Sequence, residues 1–175
     1  ILKDIEQEDI DGLAFCVGSI DLKPLKLTKK SDFMQCFNLN LISATEIIRA
    51  CHEKLKKTKG SIVLFSTVAA RKGFTNHSII SSAKAAVEGL TVSLAAEFAP
   101  SVRVNCIAPS LSKSKIAAPM LKNEKIVESI AKMHPLKRIG TGEDFSAFVS
   151  FLLNKESSWI TGQIFGVDGG RSSVA

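Results

Sequence analysis

GSIVLFSTVAARKGFTNHSIISSAKAAVEGLTVSLAAEFAPSVRVNCIAP, residues 60–109, decides the fold. Ser61-Ile62-Val63-Leu64-Phe65-Ser66 is a short apolar run entered from a glycine, the pattern of a strand buried on both faces. Residues 77 to about 98 follow at helical spacing with an alanine-rich face, and Val102 to Ala108 is a second apolar strand closed by Pro109. Strand, long helix and strand in this order predict a parallel β-α-β unit.

The same alternation extends in both directions. Upstream, Gly12 to Gly18 is an apolar run ending in glycine, and Ser31 to about Lys57 reads as a helix carrying Phe33, Phe37, Leu41, Ala44, Ile47 and Ile48 on one side, ended by Lys59-Gly60. Downstream, a helix is expected near 123–132. Another runs from Thr141, a capping residue with Glu143 and Asp144 in the first turn, to about Leu153. Gln163 to Val167 is the last strand and leads into Asp168-Gly169-Gly170. Residues 1–10 read as the tail of a helix feeding the first strand. The prediction is an α/β fold with three layers: a Rossmann-type, doubly wound parallel sheet whose N-terminal strands are missing. Residues 1–175 would then be a single partial domain, the active-site and substrate half, without the dinucleotide-binding β-α-β unit.

Composition narrows the function. With 45% hydrophobic residues in 175, the chain can bury a core, and no apolar run approaches the ~20 residues that span a bilayer. Cys16, Cys36, Cys51 and Cys106 are scattered without C-x-x-C spacing, which predicts buried, reduced thiols in a cytoplasmic protein and no metal site. The net charge of +6 comes mostly from lysine; the dense patch Lys54-Leu55-Lys56-Lys57-Thr58-Lys59 lacks arginine and aromatics, so it reads as a solvated helix end and not as a nucleic-acid surface.

Five segments carry a family resemblance: Leu39-Asn40-Leu41; Gly60-Ser61-Ile62-Val63 with Ser66-Thr67; Ile80-Ser81-Ser82-Ala83-Lys84; Arg103-Val104-Asn105-Cys106-Ile107-Ala108-Pro109; and Trp159-Ile160-Thr161-Gly162-Gln163 through Val167-Asp168-Gly169-Gly170. Their order, from about residue 10 to 170, resembles the short-chain dehydrogenases/reductases. The resemblance implies NAD(P)-dependent hydride transfer to or from a carbonyl or hydroxyl carbon of a small molecule, and a homodimer or homotetramer. In the family a tyrosine moves the proton, a serine polarises the carbonyl, and a lysine four residues after the tyrosine lowers its pKa and holds the nicotinamide ribose. Carried over, Thr67 takes the serine's place, Lys84 is the lysine, Asn40 holds the kink and the relay water, and Gly18, Pro109, Ser110 and Ser114 line the NAD or NADP.

The departures are as informative as the matches. Ile80 stands where the tyrosine belongs, and the chain has no tyrosine at all. Phe15-Cys16-Val17-Gly18 keeps only the glycine of N-N-A-G, Ser110 replaces a glycine, Ser114 a threonine, and the glycine-rich pyrophosphate turn is absent. The alternative is therefore a catalytically inactive subunit that binds or assembles. His77, three residues before Ile80, is a candidate replacement proton donor, against a solvent-facing helix start; Ser81 and Ser82 lack a partnered base, and His52 and His134 lie in unrelated segments. The substrate loop is placed at residues 112–137, where Lys113, Lys115, Lys137 and Arg138 would tolerate an acidic group.

Overall fold

A computed structural model describes residues 9–174. The helix tail expected over residues 1–10 lies outside them, except for Asp9 and Ile10, which are not helical. The elements in chain order are β1 (Gly12–Phe15), α1 (Lys30–Phe37), a π-helical segment (Asn38–Ile42), α2 (Ser43–Thr58), β2 (Ser61–Phe65), α3 (Ser78–Phe98), β3 (Arg103–Pro109), α4 (Ala118–Leu121), α5 (Glu124–Lys132), α6 (Gly142–Leu153) and β4 (Ile164–Val167). The strands form one parallel sheet in the order β1-β2-β3-β4, so the parallel α/β architecture read from sequence is borne out.

Burial explains the strand pattern. Ile62, Val63 and Leu64 of β2 and Val104, Cys106 and Ile107 of β3 are fully buried because helices cover both sheet faces. One face packs Ile62, Leu64, Val104 and Cys106 against Ala44, Ile48, Cys51 and Leu55 of α2, spaced 4, 3 and 4 apart on one helical stripe, together with Val87 and Ala95 of α3. On the other face Val63 and Ile107 meet Leu152 of α6.

Two motif residues prove architectural. The Arg103 guanidinium donates to the carbonyl oxygens of Leu152, Asn154 and Ser157 and to Ser157 Oγ at 2.7–3.0 Å, tying β3 to the end of α6. Asn105, fully buried, donates to Ile160 O at 2.9 Å and accepts from Gln163 N at 3.1 Å, which fixes the entry to β4. Asp144 accepts from Thr141 N at 2.7 Å at the start of α6, the predicted cap, and pairs with both Arg138 nitrogens at 2.6 Å. The lysine patch sits at the exposed C-terminal end of α2, where Lys59 is left-handed at φ 55°.

Three expectations are corrected. β1 stops at Phe15, not Gly18, because residues 16–18 leave the sheet toward Asn40, whose Oδ1 accepts from Ser19 N. Cys16 is exposed, unlike the three buried thiols, for the same reason. α3, at 21 residues, is long and apolar enough to cross a bilayer by length and composition; within this fold it is a core helix, with Lys84 and Glu88 buried on its inward face.

Candidate active site

Gly18, Asn40 and Lys84 converge at the C-terminal end of β1. Asn40 is 1% exposed inside the π-helical segment, where one extra residue in the turn aims its side chain inward. Its amide donates to Cys36 O at 2.9 Å and its Oδ1 accepts from Ser19 N at 3.4 Å. A Cβ on Gly18 would lie 2.7 Å from Asn40 Oδ1 and 3.2 Å from Lys84 Nζ, so only glycine fits between them.

Lys84 extends from α3 to the end of β2, where Nζ donates to Phe65 O at 2.9 Å. An ammonium has three donors, so this bond leaves two for a ligand. Burial pushes the Lys84 pKa below that of an ordinary lysine, opposed weakly by the thiols of Cys106, Cys36 and Cys16. Thr67 follows β2 and begins the short 3₁₀ turn Val68–Ala70; its Oγ1 accepts from Ala69 N at 3.3 Å, leaving the hydroxyl hydrogen free to donate. Ser66 donates at 2.8 Å to Glu88, which also pairs with Arg71 at 2.7 Å and so pins this strand end to α3.

These groups open onto one cavity of about 370 Å³ at the C-terminal ends of the strands, where open parallel sheets bind ligands. Gly18, Thr67, Ile80, Lys84, Pro109, Ser110 and Ser114 all line it, while Asn40 stands behind Gly18. Ile80 is 4% exposed and packs with Cys36, Ile79 and Ala83, a hydrocarbon wall with no proton to move. Ser114 Oγ accepts from Ala117 N at 3.2 Å. His77 caps α3 at the cavity's edge: its Nδ1 is 2.7 Å from Thr75 O, an acceptor only, so Nδ1 carries hydrogen and Nε2 is the free nitrogen. Of the four cations expected to face an acidic group, Lys113 lines the cavity, Arg138 is taken by Asp144, and Lys137 reaches Lys132 O at 3.1 Å.

Two residues were not read as site residues from the sequence. His134, 1% exposed, bonds Ile130 O at 2.8 Å through Nδ1 and Ser110 Oγ at 2.9 Å through Nε2. Arg171 reaches back into the cavity and donates to the same Ser110 oxygen at 3.2 Å. Ser110 is thus the junction between them. Both contacts span more than twenty residues of sequence, and no local pattern signals them.

Residues 3–172 match the family model described as enoyl-(acyl carrier protein) reductase. The chain belongs to the short-chain dehydrogenase/reductase family. A tropinone reductase homolog of Arabidopsis thaliana is 36% identical over 156 residues, covering 88% of this chain and 59% of the relative. A gluconate 5-dehydrogenase from Burkholderia cenocepacia, solved with NADP and tartrate, superposes with a TM-score of 0.93 over 99% of this chain and 70% of its own, at 21% identity. ElxO, solved with NADP bound, gives 0.85 at 30% identity over 93% of this chain and 67% of its own. This short-chain dehydrogenase/reductase chain spans 49–59% of the length of its first three curated relatives. None of these relatives' names speaks for a non-catalytic role. The cavity residues fit the family's nicotinamide cofactor: Gly18 gives close backbone approach, and Lys84 offers two unspent donors beside it.

Proposed function

We propose that the protein is an NAD(P)-dependent oxidoreductase acting on a small carbonyl or hydroxyl compound, with Lys84 taking the proton role that a tyrosine has elsewhere in the family. The observation that carries this reading is the convergence of Gly18, Thr67 and Lys84 on one cavity that Ile80 walls with hydrocarbon. Relatives that are named reductases, and one solved with NADP bound, support it.

When bound, the nicotinamide supplies or takes the hydride at the substrate carbon; the chain's own groups handle the oxygen. Thr67 donates its free hydroxyl hydrogen to the carbonyl and polarises it. The oxygen gains negative charge as the carbon is reduced, and the Lys84 ammonium protonates it, made more acidic than a surface lysine by its burial. Asn40 keeps Gly18 and Lys84 in register. NAD and NADP are equally compatible with these residues.

The 175 residues contain no glycine-rich pyrophosphate turn, so the activity belongs to a protein that supplies one. We further place that protein in the cytoplasm and assign it a dimer or tetramer, motivated by Leu39 and Ile42, exposed on the π-helical segment, Val92, exposed on α3, and Trp159, 99% exposed. Trp159 is the sole tryptophan and no tyrosine is present, so its emission reports directly on that surface. A fully water-like spectrum together with a monomeric mass from light scattering would reject the oligomer.

The test of the activity is NAD(P)H oxidation by the full protein over a panel of small ketones and aldehydes, with nucleotide affinity measured in parallel by cofactor fluorescence. Turnover that disappears in Lys84→Met supports the reading. Nucleotide binding without turnover on any carbonyl rejects it.

A further inference from the structure

Arg171 has no acidic partner within ion-pair distance among the described residues, although it is half-buried in the cavity wall. Its nitrogens donate to neutral acceptors, Ser110 Oγ at 3.2 Å and Met133 Sδ at 3.6 Å, and the guanidinium lies over the Phe74 ring, 4.7 Å from the centroid. The stack and the Ser110 bond hold the group rigidly, and a guanidinium has five donors, so several remain for a ligand. Asp168, the closest carboxylate to act on it, is occupied: it accepts from Gly170 N and Ser172 N, each at 2.9 Å, and from the Ser172 hydroxyl.

The rest of the cavity has the same sign. Lys84 and Lys113 line it with Arg171, and no aspartate or glutamate does. A concave, partly apolar space carrying three cations and no carboxylate attracts anions. A planar fork of donors suits a carboxylate or a phosphate in particular.

We infer that Arg171 is a substrate anion site, and that the substrate is a small keto acid, or the matching hydroxy acid, whose carboxylate pairs with the guanidinium. The inference rests on the cavity being the substrate site proposed above. Lys84 is anchored at the end of β2 through Phe65 O and Arg171 at the end of β3 through Ser110. Neighbouring strands lie about 4.8 Å apart, so a short carbon chain can present its carbonyl to Lys84 and Thr67 and its carboxylate to Arg171. Ile80 and Phe74 supply the apolar wall between.

A cofactor phosphate is the other anion that could use these donors, and the experiment separates the two. Keto acids of three to seven carbons and their methyl esters are titrated calorimetrically into the full protein with NADP+ present, so that no turnover occurs. NADPH affinity is measured separately. At least one acid is expected to bind tenfold or more tightly than its ester. Arg171→Gln should remove that preference and leave ester and NADPH binding within twofold, while Arg171→Lys retains part of it. Should no acid outbind its ester in the unaltered protein, or should Arg171→Gln weaken NADPH as strongly as the acid, the inference is overturned. An acid preference in a protein that never turns over upholds this site and rejects the oxidoreductase reading alone.

Discussion

Gly18→Ala measures how tightly the candidate site is built. The new Cβ lies 2.7 Å from Asn40 Oδ1, about 0.7 Å inside ordinary contact, and 3.2 Å from Lys84 Nζ. Asn40 has nowhere to retreat: its side chain is buried in the π-helical segment and bonded to Cys36 O and Ser19 N. Overpacking of this kind costs about 1–3 kcal/mol. If Asn40 swings away, the buried amide loses its partner for about 1–3 kcal/mol more. Since either response partly relieves the other, a loss of about 2–4 kcal/mol is expected, a large part of a typical domain's 5–15 kcal/mol. Urea unfolding followed by far-ultraviolet circular dichroism is the assay, since Trp159 is already exposed and reports little on unfolding. Gly73→Ala is the control: no heavy atom lies within 4 Å of its added Cβ, so it should be neutral to about 0.5 kcal/mol. A Gly18→Ala loss no larger than that of Gly73→Ala would refute the close-approach argument.

Four further outcomes are expected. Lys84→Arg keeps the charge but removes a proton donor of lowered pKa, so kcat should fall by about 10²–10⁴ with nucleotide affinity kept; in the unaltered enzyme, reduction should slow as pH rises through the Lys84 pKa, below the ordinary lysine range. His77→Gln should leave kcat within twofold, and a loss matching that of Lys84→Arg would hand the proton to His77. Cys16 should be the one thiol that alkylates readily in the folded protein, at alkaline pH because partial burial raises its pKa, whereas Cys106 is pushed up to about 12. Because Cys16 lines the cavity, NADPH should slow its labelling, and unchanged labelling at saturating nucleotide would place the cofactor elsewhere. Burial raises the Asp168 pKa, but hydrogen bonds from Ser172, Gly170 and Arg171 outweigh it and leave a net lowering. Its contribution to stability is therefore present above the unfolded carboxylate pKa and is lost as pH falls through the folded one. Amide protection factors at residues 168–174 should fall on acidification below about pH 4; Asp168→Asn should show that low protection at neutral pH, and full protection there would refute the account.

The sheet was legible because its signals are local. Three consecutive apolar residues in β2 and the stripe Ala44, Ile48, Cys51, Leu55 in α2 are patterns that only a doubly covered parallel strand and a core-facing helix satisfy together. The ends were less so. β1 stops after Phe15 because the chain turns away toward Asn40, a contact between residues some twenty apart. The four-residue α4 carries Pro119 and too little periodicity to be seen. The π-helical segment is a single-residue slip that helical spacing over residues 31–57 averages away; Asn40 was found through the motif around it, not through the geometry that orients it. His134 and Arg171 were out of reach because their importance comes from one shared oxygen, Ser110 Oγ, brought to them by the turns after β3 and β4.

Ile80 and Ser110 together describe a redistribution of roles. A tyrosine at residue 80 would carry the reactive proton on a phenol and leave the lysine below it to tune that phenol. With isoleucine there, the same helical turn becomes part of the hydrophobic seam between α1 and α3, built with Cys36 and Ala83. The buried lysine is then the nearest donor on that helix face, with its pKa already shifted by the seam that Ile80 helps to seal. On the opposite wall, a serine replacing glycine adds the hydroxyl that fixes His134 and Arg171. Arg171 Nη–H donates to Ser110, whose own hydrogen is then free for His134 Nε2, while Nδ1–H of His134 satisfies Ile130 O, so the serine hydroxyl and both imidazole nitrogens have partners and the guanidinium is held in one place. On the proposed reading the two residues act in one direction: Ile80 gives the cavity no neutral acid, and Ser110 stiffens a cation. On that reading such a cavity would select anionic substrates and its proton chemistry would depend on Lys84, and Ile80→Tyr in the full protein tests that coupling. The tyrosine should broaden the pH range of reduction while leaving the preference for keto acids over their esters unchanged, because that preference resides on the other wall; loss of the preference in Ile80→Tyr would show that the two walls do not act separately.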